Sequence, residues 1–212
     1  PKKTLATINN KSLLKRILER VKLIKKINKI IISTSRLKED NPIENFAKKN
    51  NVELYRGNLN NVLKRAILTA KVYNLDYIIR ICGDRPFVDY DLHNEILKKI
   101  KYKNFDLITN NLYKEAPKGL TLEIISLKAL NKIFNNSPKK KDFEHITNYI
   151  YENRDKFKIR NYVTKTYQIL NKKKTSLNLD TIHDLKKIRD LVKKLGLKDN
   201  PKTKIEEILK YA

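Results

Sequence analysis

The chain predicts an α/β fold of three layers, a mostly parallel sheet held between helices. Three observations predict it. Short apolar runs rich in β-branched residues alternate with amphipathic stretches of helical period across most of the 212 residues, the pattern of βα units joined by right-handed crossovers. The run Tyr77-Ile78-Ile79-Arg80-Ile81-Cys82 is nearly all apolar, like a parallel strand covered on both faces, and it stops at Gly83-Asp84-Arg85-Pro86. The length suffices for one such domain with a sizeable core and is short for two, so residues 1–212 are read as a single domain.

Ser12 reads as the N-cap of a first helix reaching residue 27, with Leu13, Ile17, Val21 and Ile24 on one face. Residues 29–34 form a strand, and a polar loop runs to Asn41-Pro42. A short helix over 43–50 and a short strand over 52–55 follow, ending at Arg56-Gly57. Residues 58–73 are helical, with Leu59, Val62, Leu63, Ile67 and Ala70 as the apolar stripe. The strand at 77–82 comes next, then a helix over 90–101.

Beyond this point the rhythm changes. Strands are expected at 106–110 and 120–126, with Ser126 capping a helix to 134. A helix over 143–151 and a strand over 158–163 come next. A short strand at 177–179 leads into Asp180, and helices over 181–194 and 203–211 end the chain. The pattern thus opens on a helix without the strand that should feed it. A doubly wound domain opens with a strand and a phosphate-binding loop. The first strand is therefore expected to be missing, its place lying between the strands near 30–33 and 78–82. The chain has no methionine and starts Pro1-Lys2-Lys3, which reads as a fragment whose natural N-terminus lies upstream.

Composition narrows the function classes. No apolar run approaches the ~20 residues of a membrane span, and no basic, apolar, small-residue leader is visible. One cysteine, Cys82, leaves no internal disulfide and no Cys-x-x-Cys metal site. These features favour a cytoplasmic protein. A net charge of +25 points first toward nucleic acid. The lysines are spread over almost every segment, however, and no helix-turn-helix, RNP or zinc pattern accompanies them. A basic surface of this kind still speeds encounter with polyanions such as nucleoside triphosphates.

In open α/β sheets ligands sit beyond the carboxyl ends of strands, so Asp84 stands where a metal or phosphate is handled. Asp180 likewise follows a predicted strand, although it is equally placed to cap the helix after it. Arg80 is charged within a buried strand and must be paired, to a structural partner or to substrate. Glu144 and His145 open a helix, where a glutamate favours the dipole. His93 and His183 show no partners and read as surface residues. A loop arginine such as Arg56 is either solvated or in contact with a ligand.

Taken in order, these segments resemble the CMP-sugar synthetases, or acylneuraminate-type cytidylyltransferases, in the branch of spore coat polysaccharide biosynthesis protein F. Pro1-Lys2-Lys3 matches the tail of the family's basic loop R-x-x-S-x-R-L-P-x-K. Residues 14–21 match its E-x-V-I-E-R-V-like helix, and Ile31-Ile32-Ser33-Thr34-Ser35 its V-x-A-T-S strand. Tyr55-Arg56-Gly57 through Arg65 resemble F-R-G-x-x-x-D-V-L-x-R, with Asn61 replacing Asp. Residues 79–89 resemble V-R-I-T-G-D-C-P-L-I-D. Thr109-Asn110 through Glu123 resemble S-N-x-x-x-x-x-P-x-G-L-D-V-E, with Thr121 replacing Asp. Residues 143–150 resemble R-E-H-V-T-x-Y-I. Residues 179–185 resemble V-D-T-P-E-D-L, with Ile182 and His183 replacing Pro and Glu.

The resemblance implies a three-layer Rossmann-like nucleotidyltransferase fold of the nucleotide-diphospho-sugar transferase type. It implies transfer of CMP from CTP to an acidic sugar, of nonulosonic or octulosonic type, for surface polysaccharide biosynthesis. Asp84 and Asp180 take the catalytic positions and the Mg²⁺. Lys3, Ser33, Arg56 and Arg80 take nucleotide contacts. Asn110, Gly119, Glu123, Glu144 and His145 take the sugar. The expected partners are CTP and the acidic sugar, with a homodimer built partly on residues 120–126 and with neither nucleic acid nor membrane. Without most of the phosphate loop, residues 1–212 alone are expected to be inactive. The rival expectations are a non-catalytic or differently specific homologue and, in another class, a basic nucleic-acid-binding module.

Overall fold

The computed structural model describes residues 3–100, 104–136, 139–165, 167, 168 and 176–212. Pro1, Lys2 and the expected helix end at Lys101 lie outside the described residues. The chain begins with a hairpin of β1 (Thr7–Ile8) and β2 (Lys11–Ser12). Asn9 and Asn10 turn it at positive φ, 46° and 61°, a backbone asparagine tolerates better than most residues. Ser12 caps α1 (Leu13–Val21), its hydroxyl accepting from the Lys15 N–H at 3.2 Å. The helix ends before the expected residue 27. Leu23 and Ile24 fold back onto Arg20 and Val21 in tight turns, and Lys26 takes φ 59°.

β3 (Ile31–Ser35) pairs in parallel with β4 (Glu53–Gly57) across α2 (Asn41–Lys49). α3 (Val62–Val72) starts later than its apolar stripe suggests. The Asn58 side chain accepts the N–H groups of Asn60 and Asn61, and Asn61 then caps the helix. Leu59 consequently sits in a turn, 51% exposed, outside the stripe. β5 (Tyr77–Ile79) is shorter than the run 77–82, and α4 (Tyr90–Lys99) follows, capped by Asp89.

β6 (Leu107–Thr109) is followed by β7 (Glu123–Ser126), and Ser126 caps α5 (Leu127–Asn135) as its sequence suggests. The helix expected over 143–151 is two helices, α6 (Lys140–Glu144) and α7 (Asn148–Glu152). They break at residues 145–147, where Thr147 turns inward. β8 (Ile159–Asn161), α8 (Ile182–Leu195) and α9 (Ile205–Leu209) complete the chain. Residues 177–179 form no strand, and only an isolated bridge joins Ser176 to Lys118.

The sheet is mixed. β5, β7, β6 and β8 lie side by side in that order, with β7 antiparallel to both neighbours and β6 parallel to β8. Asn110 accounts for the reversal: its amide donates to Leu120 O at 2.9 Å and accepts from Leu122 N–H at 2.8 Å. That folds the connection back alongside β6, where a crossover helix would have kept the direction. β3 and β4 form a separate pair, and β3 and β5 exchange no ladder bonds among the described residues.

Adjacent residues of the strands face different cores, which makes the three layers. Ile108 and Ile124 pack with α1, α4, α8 and α9, whereas Leu107 and Ile125 pack with α3, α5 and α7. β7 is wholly buried with both edges paired. The strand part of residues 120–126 is therefore engaged within the sheet.

Two arginines of α1 tie down the C-terminal segment. Arg16 donates to Ile8 O and forms a near-buried ion pair with Asp199 at 2.7 Å. Arg20 donates to the carbonyls of Val88, Pro201 and Thr203 at 2.7, 3.0 and 2.9 Å. Replacing Arg20 by Met leaves three carbonyls seeking donors. It is expected to cost roughly 3 kcal/mol or more and to expose residues 199–204 to protease ahead of global unfolding. Urea midpoints and limited proteolysis measure both effects, and an unchanged midpoint would refute the role.

Candidate active site

β5 ends at Ile79, and after residues 80–82 the turn from Gly83 to Pro86 holds Asp84 and Arg85. Three other segments meet this loop. The Leu179 N–H donates to Asp84 O at 2.8 Å, which carries Asp180 to the Asp84 loop. The Leu177 N–H donates to Lys118 O at 2.8 Å, which joins that strap to the loop before β7. A side chain on Gly83 would contact Thr4, so the chain's opening turn lies against the same loop. Lys3 reaches across it, with Nζ 3.5 Å from Asp180 Oδ1. The tertiary structure thus gathers Lys3, Asp84, Asp180 and Gly119, which the sequence separates widely.

The electrostatics of the two carboxylates differ. Asp84 is 32% exposed, yet its Oδ1 is buried with no hydrogen-bond partner, and the nearest cation is Arg85 Nε at 4.0 Å. Asp180 is exposed, meets Lys3, and accepts from Asn178. It does not cap α8: Thr181 and Asp184 form the capping box there, and Asp184 accepts the Asp180 N–H as well. Two carboxylates, one of them with an unsatisfied oxygen, suit a hard divalent cation completed by phosphate oxygens. Among the described residues no cluster of three or more His, Cys, Asp or Glu forms a protein-only metal cage.

Gly119 owes its identity to the strap. Its φ is 92°, and an added Cβ would lie 2.6 Å from the Leu177 carbonyl carbon and 2.7 Å from Asn178 N. Behind this meeting point is a buried polar network. Glu123, 4% exposed, pairs with Arg80 at 2.7 Å, and its other oxygen accepts from Thr147 at 2.8 Å and Tyr151 at 3.1 Å. The Thr109 hydroxyl stands 3.0 Å from the Tyr151 oxygen. Burial alone would raise the Glu123 carboxyl, but the Arg80 guanidinium outweighs it and holds the acid below its ordinary value. The Tyr151 phenol is pushed well above its usual value, by burial first and then by Glu123.

The remaining expected residues divide. Asn110 has both ends of its amide engaged internally. Glu144 and His145 are exposed at the break between α6 and α7, beside Thr147. Ser33 and Arg56 lie on the separate β3–β4 pair. Ser33 meets Thr69 at 3.1 Å, and Arg56 holds Asn41, Glu44 and the carbonyls of Ser35 and Leu37.

Sequence reasoning missed Thr147 and Tyr151, whose i,i+4 spacing already puts both on one helical face. It also read His93 as a surface residue, and the structure corrects this. His93 is 3% exposed on the inward side of α4, with Nδ1 2.6 Å from Asp89 O and Nε2 buried without a partner.

Burial pushes His93 down to about 4 from an ordinary 6.5. Between those values the unfolded chain binds a proton that the folded chain refuses. Stability is therefore lost as pH falls from about 6.5 toward 4, by up to about 3 kcal/mol from this residue. Urea unfolding of the wild type and His93→Gln across that window measures it, and identical pH slopes would contradict it. Gly119→Ala is expected to lose roughly 1–3 kcal/mol and to loosen the strap. Faster amide exchange at Leu177 and Leu179 reports this, and unaltered exchange there would rule out the close approach.

Comparisons with known proteins agree with this architecture. The sequence model of the family described as cytidylyltransferase matches residues 1–207. An uncharacterised protein of Methanocaldococcus jannaschii is 33% identical over 195 residues, covering 92% of this chain and 78% of that protein. The spore coat polysaccharide biosynthesis protein SpsF of Bacillus subtilis is 25% identical over 215 residues, covering 99% and 86%. The solved structure of a cytidylyltransferase from Leptospira borgpetersenii serovar Hardjo-bovis superposes with a TM-score of 0.89 at 26% identity, covering 99% of this chain and 86% of that one. With its strand-end carboxylates and a match running nearly end to end, the chain belongs to the cytidylyltransferase family.

Proposed function

We propose that this protein transfers CMP from CTP to a hydroxyl of an acidic sugar, of the nonulosonic or octulosonic type, for a surface polysaccharide. The observation that carries the reading is the meeting of Lys3, Asp84 and Asp180 at one strand end, with one Asp84 oxygen buried and unpartnered. In this reaction the sugar hydroxyl oxygen bonds to the α-phosphorus, the bond to the bridging oxygen breaks, and pyrophosphate leaves. The site must therefore collect negative charge and hold two reactants in line.

Asp84 and Asp180 would hold Mg²⁺, which when bound neutralises triphosphate charge and polarises the reacting phosphoryl group. Lys3 meets the triphosphate and bridges toward Asp180, so it compensates the second carboxylate before a nucleotide arrives. The Arg80–Glu123 pair is buried behind the loop and keeps the end of β5 in place. Support for the polysaccharide role is the likeness to the spore coat polysaccharide biosynthesis protein. No helix among the described residues is long and apolar enough to cross a membrane.

The test is pyrophosphate release by the full gene product with CTP, Mg²⁺ and a panel of nonulosonic and octulosonic acids. Asp84→Asn is expected to lower kcat by about 100-fold or more, as loss of a metal-holding carboxylate implies, with the circular dichroism unchanged. Near-normal turnover of that variant with Mg²⁺ would remove Asp84 from the metal site. No pyrophosphate with any acid, alongside oligonucleotide binding that falls steeply with salt, would favour a nucleic-acid-binding module instead.

A further inference from the structure

Each carboxylate of the candidate site faces a basic side chain, and the two pairs are built differently. Arg85 stands with Nε 4.0 Å from Asp84 Oδ1, and its Nη1 donates to Thr121 O at 3.0 Å. That second bond ties the guanidinium to the loop before β7 and makes it a fixed charge. Lys3 has no such tie. Its Nζ lies 3.5 Å from Asp180 Oδ1, and among the described residues no other polar atom holds it.

The contact between Lys3 and Asp180 is a loose one. It is longer than the roughly 2.7–2.9 Å of a charge-assisted hydrogen bond, and the two side chains are 42% and 58% exposed. An exposed pair of this kind is worth little and exchanges readily. The other oxygen of Asp180 accepts from the Asn178 amide, which leaves Oδ1 as the oxygen turned to Lys3. An ammonium resting on an oxygen that a divalent cation needs repels that cation. A single charge a few ångströms away changes divalent affinity by about 3- to 10-fold in salt-screened water.

A triphosphate reverses the sign of this effect. Phosphate oxygens carry more negative charge than one exposed carboxylate, and Lys3 has no second bond to hold it back from them. The same side chain therefore opposes a cation when nucleotide is absent and holds the nucleotide when it is present. We propose that Lys3 is a resident counter-ion, keeping Asp180 from a free divalent cation and releasing it to a metal–nucleotide complex. On the nucleotidyl-transfer reading, on which this rests, the substrate is then the metal complex of the triphosphate taken up as one unit. Arg85, tied to Thr121, keeps the charge facing Asp84 constant through the exchange.

Metal and nucleotide binding are measured separately on the full gene product. Electron paramagnetic resonance of free Mn²⁺ reports metal binding without nucleotide, and calorimetry reports CTP binding with Mg²⁺ present. Lys3→Gln is expected to bind free Mn²⁺ about 3- to 10-fold more tightly than the wild type. The same variant is expected to bind CTP with Mg²⁺ about 10-fold more weakly, as loss of one hydrogen bond to a charged group implies. Opposite signs from one substitution are the signature, because a lysine that only supported the fold would weaken both. Lys3→Arg keeps the charge and should stay near the wild type in both measurements. Adding Asp180→Asn to Lys3→Gln should abolish the gain in Mn²⁺ affinity.

Free Mn²⁺ affinity that Lys3→Gln leaves unchanged or lowers overturns the proposal, and so does a gain that survives Asp180→Asn. If CTP with Mg²⁺ binds the wild type while either result is obtained, the counter-ion role of Lys3 alone fails. If CTP with Mg²⁺ does not bind the wild type, the nucleotidyl-transfer reading fails with it.

Discussion

The buried pair of Arg80 and Glu123 is the constraint on which the site's architecture depends. Besides the side-chain pair, the Arg80 N–H donates to Glu123 O at 2.9 Å, so charge and backbone together lock the end of β5 onto β7. Glu123 also draws Thr147 and Tyr151 inward, which explains why the helix through 143–151 breaks in two. A buried network of this kind specifies one arrangement, whereas removing one member leaves a buried charge uncompensated, at about 3–5 kcal/mol. Directly beyond Arg80 the chain enters the Asp84 loop, so the rigidity of the pair is passed to that loop.

Around that anchor the loops are held by single, well-placed backbone contacts. Leu179 bonds to Asp84, Leu177 to Lys118, and Gly119 allows the strap to come within a distance no side chain would permit. The amide of Asn110 sets the path of the same loop from behind. Asn110 and Glu123 are thus placed to position the site through their neighbours. Arg16 and Arg20 perform the equivalent task on the far side of α1, fastening the C-terminal segment against it. A chain with 48 basic and 23 acidic residues has few carboxylates to spare. The unpartnered oxygen of Asp84 is notable for that reason.

Much of the architecture was legible in local pattern. Ser12 and Ser126 cap the helices they were read to cap, because the capping hydroxyl and the apolar period beside it are adjacent in sequence. The strand approaching Asp84 and the helix after Asp180 were visible for the same reason. Less legible were features decided across the chain. Leu59 fits the stripe of α3, yet the side chain of Asn58 starts a turn there. The run 120–126 reads as a strand but carries no sign of its direction, which Asn110 sets through two side-chain bonds. His93 looked solvated since nothing near it in sequence reveals that α4 turns it inward beneath Asp89.

By itself the sequence determined the layered α/β class, most helix starts, the family likeness and the position of Asp84 in the loop after its strand. Each of these rests on residue type and short-range spacing, which a linear chain displays. Only the tertiary structure decided the mixed direction of the sheet, the pairing of Arg80 with Glu123, and the arrival of Lys3 and Asp180 at the Asp84 loop. It also decided that Arg56 and Ser33 are engaged within the β3–β4 unit. The reason is common to all of them. A charge or hydrogen bond is satisfied by whatever lies within about 3 Å, and partners separated by as many as 177 positions, as Lys3 and Asp180 are, become neighbours only when the chain folds.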